Sequence, residues 1–206
     1  MDEPLSALAI AEADRARLRF LVEAHALTNV ERLNRVLDGT RAETSAEHSW
    51  HLALSAVMLS AHAGPTVALD RVVEMLLVHD VVEVDAGDVP VYDTAARLAV
   101  AEIEMRAADR LFALLPEPDG AYYRALWQEF ERAETDDARF ARALDRLQPL
   151  LVHWAGGGTV WRERGTTIDD ERRLLETIEQ LWPPLGPLAT AIVEDALERG
   201  MIAPGH

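Results

Sequence analysis

The run "VVEMLLVHDVVEV", Val72 to Val84, constrains the fold more than any other stretch. It is apolar on nearly every side of a helix, so it belongs at the centre of a packed body. His79 and Asp80 interrupt it. An unpaired carboxylate in such a place costs several kcal/mol, so it needs a cation or strong donors supplied by other parts of the chain. The fold must therefore bring polar partners to this helix through its core.

The rest of the chain reads as helices. Strand signals are nearly missing, and the two Asp-Gly pairs, at Asp38 and Asp119, lie between helical patterns. A first helix spans roughly Ser6 to His25, and the arginine-bearing segment "NVERLNRVLDGTRAE" reads as irregular. The second main helix starts near Thr44, where Thr44 and Glu47 have the form of a capping box, and Gly64-Pro65 closes its far end. The third runs from a cap at Asp70 to about Glu83, before a turn marked by Gly87 and Pro90. Helices follow over about 94–115 and 121–133, then one capped by Asp136 or Asp137 and bent by Pro149. After Gly156–Gly158, helices over about 169–181 and 188–199 complete the chain. With no linker, repeat or low-complexity tract, residues 1–206 form one all-α domain of some eight helices.

Which groups meet Asp80? His48 places an imidazole on the second helix, and His79 adds a second. Asp145, beside the apolar stripe Phe140, Leu144, Leu147 and Leu151, repeats the anomaly of Asp80. Two imidazoles and two carboxylates from three helices make a mixed nitrogen and oxygen site for one divalent ion. Mn²⁺, Fe²⁺, Co²⁺ or Zn²⁺ suit it, and Mg²⁺ is possible though less natural with histidines. Glu83, one turn beyond His79 and Asp80, is placed to handle a proton of water at that ion.

Charge narrows the substrate class. The net charge is −16, with 36 acids against 20 bases, all of them arginine. That excludes nucleic-acid polymers, whose binding needs many cations against phosphates. A small anion remains open to a metal and a few local arginines. Cysteine is absent, no apolar run approaches a membrane span, and nothing resembles a signal peptide, so a cytoplasmic protein without membrane association is expected.

His48, the doublet His79-Asp80 and the distant Asp145 resemble the H…HD…D pattern of the HD-domain metal-dependent phosphohydrolases. The wider text "DGTRAETSAEHSWHLAL" with "LLVHDVVEVDAGDVPVYD" is similar to the branch holding the 5′-deoxynucleotidases and the HD-domain-containing-protein-2 group, over about Arg17 to Leu185. The resemblance implies an HD-domain helical bundle. It implies His48, His79, Asp80 and Asp145 as metal ligands, Glu83 as catalytic acid/base and Asp88 as a contact to the nucleotide sugar. The expected activity is hydrolysis of (deoxy)ribonucleoside 5′-monophosphates to nucleoside and phosphate by a homodimer. The alternatives are another phosphate ester or phosphodiester, or a helical interaction protein with a structural metal. The chain departs from the branch before the second helix: "RLNRVLDGTRAE" lacks the tryptophan that helps to hold the nucleotide there, which turns attention to Arg35 and Arg41 for the phosphate. Arg41, just upstream of the helix cap, is the substrate-binding candidate.

Overall fold

The computed structural model describes residues 5–88 and 94–205. Its helices are α1 (Glu12–Ala24), α2 (Ser45–Met58), α3 (Leu69–Val78), α4 (Glu83–Ala86), α5 (Thr94–Phe112), α6 (Asp119–Arg132), α7 (Asp136–Ala155), α8 (Thr159–Arg164), α9 (Ile168–Leu181) and α10 (Gly186–Glu198). A two-stranded antiparallel hairpin, β1 (Glu31–Arg35) and β2 (Ala42–Thr44), precedes α2. The all-α class holds, with this small hairpin added. No helix among the described residues is long and apolar enough to cross a membrane.

α7 is the axis of the body, packing against α2, α3, α6, α9 and α10. Its Phe140, Ala141, Leu144, Leu147 and Leu150 join Leu52 and Ala56 of α2 and Val72, Met75 and Leu76 of α3 in one apolar core. Pro149 does not divide α7, which runs on to Ala155. Proline has no N–H to give the carbonyl of Asp145, four residues back, so one backbone bond of the helix is missing beside a candidate ligand.

Four local expectations are corrected. The segment around Arg32 is a hairpin, not an irregular stretch; Gly39 turns it with φ of 71° and Asp38 accepts the Thr40 N–H at 3.0 Å. The third helix ends at Val78 rather than near Glu83. Beyond it the chain tightens into three-residue steps, with Val81 N–H to Val78, Glu83 N–H to Asp80 and Val84 N–H to Val81. Such steps bring residues three apart over one another, so Glu83 stacks above Asp80. The cap of α3 is also different: Ala68 is the N-cap, and its N–H is taken by Asp137 at 2.8 Å. Asp137 is thereby committed to α3, and Thr135 caps α7 by accepting the Ala138 N–H. The capping box of Thr44 and Glu47 forms as expected. Gly87 ends α4 with φ of 72°, and Pro90 lies outside the described residues.

Candidate metal centre

His48 sits one turn into α2, immediately after the capping box fixes the helix start, and is wholly buried. Its Nε2 lies 3.0 Å from Oδ1 of Asp145 on α7. Its Nδ1 lies 3.2 Å from Oε1 of Gln148, one turn along α7. The Gln148 amide nitrogen donates to Glu43 at 3.0 Å, so its oxygen is the atom turned to His48, and Nδ1 must carry the imidazole proton. Nε2 of the neutral ring then presents a bare lone pair to a carboxylate.

His79 repeats the arrangement. Its Nδ1 donates to the Leu76 carbonyl at 2.8 Å, which fixes the tautomer. Its Nε2 is buried without a hydrogen-bond partner and stands 3.1 Å from Oδ1 of Asp80. Two neutral imidazoles thus aim lone pairs at two carboxylates. Such acceptor-to-acceptor contacts require positive charge between them. Protonating both rings would put two imidazolium ions 5.7 Å apart, centroid to centroid, in a nearly dry interior. A divalent cation placed between them would supply that charge, so the donor set fits a metal.

One ligand atom each from His48, His79 and Asp145 lie within 4.8 Å of one another. Asp80 touches the same site through His79, but its Oδ2 is drawn aside by the guanidinium of Arg32 at 2.8 Å.

Glu83 opens α4 and is buried. It accepts a hydrogen bond from Ser45, the first residue of α2, and its other oxygen is 3.9 Å from Arg32. Burial and the nearby charge of Asp80 push its pKa up to about 8, against the lowering pull of Ser45 and Arg32. A carboxyl group that exchanges a proton near neutral pH therefore stands one turn above Asp80. Asp88 is half-buried, and its charge reaches both Glu83 and Arg32.

Arg41 stays outside this cluster. It is exposed, and its guanidinium pairs with Glu47 at 2.7 Å, which pulls that carboxyl down to about 2. Arg35 faces Glu163 at 3.3 Å. The arginine at the centre is Arg32, with only 13% of its side chain exposed. Its strand alternates in reverse, with Leu33 half-exposed to solvent while Arg32 and Asn34 turn inward. Sequence reading also passed over Glu43 and Gln148. The second carried a signal: it lies three residues after Asp145, one turn along the same face of α7. His51 meets the Gln148 amide at 3.1 Å, and thus supports a neighbour of His48 from the edge.

Comparison with known proteins converges on the same region. A family model described as HD domain matches residues 24–182. The mouse protein named 5′-deoxynucleotidase HDDC2 is 28% identical over 146 residues, covering 70% of this chain and 72% of its own length. A crystal structure from Magnetospirillum magnetotacticum MS-1, described as a predicted metal-dependent phosphohydrolase, superposes with a TM-score of 0.86 at 45% identity, covering 94% of this chain and 97% of its own. A Pyrococcus horikoshii protein shares the fold at 17% identity, with a TM-score of 0.65 over 86% of this chain and 98% of its own.

Proposed function

The chain belongs to the HD-domain family, and from that premise we propose that it is a metal-dependent phosphohydrolase cleaving nucleoside 5′-monophosphates, deoxyribonucleotides above all, to nucleoside and phosphate. The observation that carries the reading is the pair of imidazole Nε2 atoms facing carboxylates, His48 to Asp145 at 3.0 Å and His79 to Asp80 at 3.1 Å. These four residues would hold one divalent ion, with Mn²⁺, Fe²⁺, Co²⁺ or Zn²⁺ matching the donors best and Mg²⁺ less well. When bound, such an ion polarises a phosphoryl oxygen and makes a nearby water far more acidic.

The protein's own groups supply the rest. Arg32 presents a planar guanidinium from the inner face of β1, and it neutralises charge that builds on the phosphoryl oxygens. Its ion pair with Asp80 holds it ready at the cluster's edge. Glu83 takes the proton of the attacking water and returns it to the leaving oxygen, a role suited to a carboxyl whose pKa is raised toward neutrality. Ser45 fixes the orientation of that carboxyl. Asp88, whose charge is felt at both Arg32 and Glu83, accepts a hydroxyl of the sugar. The phosphate role expected of Arg41 passes to Arg32. The exposed apolar residues of α2, Trp50, Leu54, Val57 and Met58, support a homodimer, which sedimentation at several concentrations tests.

The function is tested by stripping the protein of metal and adding back Mn²⁺, Co²⁺, Zn²⁺ or Mg²⁺ singly, with a panel of deoxy- and ribonucleoside 5′-monophosphates. Phosphate release with at least one pairing, abolished by chelator, is expected. No release above background with any pairing overturns the proposal.

A further inference from the structure

A cleft of about 250 Å³ has Asp145 and Arg32 in its wall. It sits between α7, α8, the start of α9 and β1, and approaches the lower end of the size range of ligand pockets. Glu171, in the first turn of α9, lines it and is 6% exposed. Trp161 donates a hydrogen bond to this carboxylate, yet its Oε2 is buried with no partner. A buried acceptor left unpaired loses its hydration without compensation, so a native fold that keeps one invites a donor from outside. Burial, more than the adjacent charge of Asp170, pushes the Glu171 carboxyl up to about 7 against the Trp161 bond.

The same lining offers donors. Arg164 gives one N–H to the Leu33 carbonyl at 2.7 Å and makes no ion pair among the described residues. Arg146 approaches a carboxylate, Asp145, only to 3.8 Å. Pro149, Leu150 and Leu174 add apolar surface. The cleft therefore combines an unpaired acceptor, guanidinium donors and apolar side chains. That is the complement of a nucleobase edge, which carries N–H donors beside carbonyl and ring-nitrogen acceptors.

We propose that this cleft is the subsite for the leaving nucleoside and that Glu171 is its specificity-determining residue, accepting a hydrogen bond from an N–H or O–H of that group. The inference rests on the nucleotidase reading for what occupies the cleft, and on Glu171 and the two arginines for where it binds. Calorimetric titration of deoxyadenosine, deoxyguanosine, deoxycytidine and thymidine tests it without turnover. At least one nucleoside binds the unaltered protein, Glu171→Gln weakens that binding tenfold or more, and inorganic phosphate binds both proteins within twofold. Arg164→Ala, a substitution at the exposed rim, weakens the nucleoside threefold or more and decides the matter if Glu171→Gln melts early. Equal nucleoside affinity in all three proteins, or no nucleoside binding at all, overturns the subsite. Release of phosphate from p-nitrophenyl phosphate by the unaltered protein, with nucleoside affinity indifferent to residue 171, sinks the subsite and leaves the reaction. Nucleoside binding lost in Glu171→Gln, with no ester hydrolysed, keeps the subsite and sinks the reaction.

Discussion

The same three helices meet twice, in opposite ways. At one end α2, α3 and α7 interlock through Leu52, Ala56, Val72, Met75, Leu76, Phe140 and Leu144, all at most 1% exposed. One turn away they meet through His48, His79, Asp145 and Gln148. The first contact is apolar, close-packed and self-sufficient. In the second, Gln148 holds the His48 ring by one hydrogen bond, while the imidazole Nε2 atoms face carboxylate oxygens. The apolar end holds the helices at the spacing the polar end needs, and the polar end is left incomplete for a cation. Stability and chemistry are thus separated along each helix by a single turn, and substitutions should separate them too.

The largest effect is expected at the polar end. Glu83→Ala keeps the metal and the fold while phosphate release falls roughly 10²- to 10⁴-fold, the usual loss for a general acid/base; metal content and circular dichroism beside initial rates check it. Loss of the bound metal in that variant would break the contrast. Leu144→Ala, one residue from Asp145, does the reverse. It costs about 2–5 kcal/mol of stability through a cavity in the core, read by urea denaturation, while the folded fraction keeps its metal stoichiometry.

Acid–base behaviour sharpens the same comparison. Folding lifts the Glu83 carboxyl from 4.5 to about 8, so the folded protein holds a proton there that the unfolded chain has released. Stability is therefore full below about 4.5 and declines as pH rises toward about 8, by up to a few kcal/mol. Glu104 and Glu171, both pushed up to about 7, slope the same way, so the signal is the difference between proteins. In metal-free protein, Glu83→Gln should gain stability over the unaltered chain as pH rises from 5 to 8. An equal slope in both would contradict the burial of that charge.

Smaller effects follow further out. Gln148→Leu removes the acceptor that fixes the His48 tautomer and should weaken metal binding about 10- to 100-fold, measured by competition with a chelating dye. Arg41→Ala removes an exposed ion pair with Glu47 and a hydrogen bond to the Ala42 carbonyl, and should leave the urea midpoint nearly unchanged and turnover within about twofold. A large loss of turnover there would restore Arg41 to the site at the expense of Arg32.

The apolar end was legible in the sequence because its residues recur at helical spacing. The polar anomalies were legible for the same reason: His48, His79, Asp80 and Asp145 each break an apolar pattern. The hairpin was not. Its strands turn Arg32, Asn34 and Glu43 inward and Leu33 outward, the inverse of the alternation that marks a strand, because they face a charged site and not the core. Arg32 was lost with it, since only the hairpin's register separates it from Arg35 and Arg41. The end of α3 at Val78 was hidden too, because Val81 and Val82 continue the apolar pattern through the three-residue steps. Asp137 shows a further limit: its carboxylate caps a helix 69 positions away, which no local pattern announces.

Elemental analysis of the purified protein, set beside His79→Ala and Asp145→Ala prepared identically, tests the convergence of these side chains most directly. The account predicts one divalent transition-metal ion per chain after saturation and dialysis, and far less than one in both variants, with helical content preserved. A full complement of metal in either variant, or none in the unaltered protein under any loading, would contradict it.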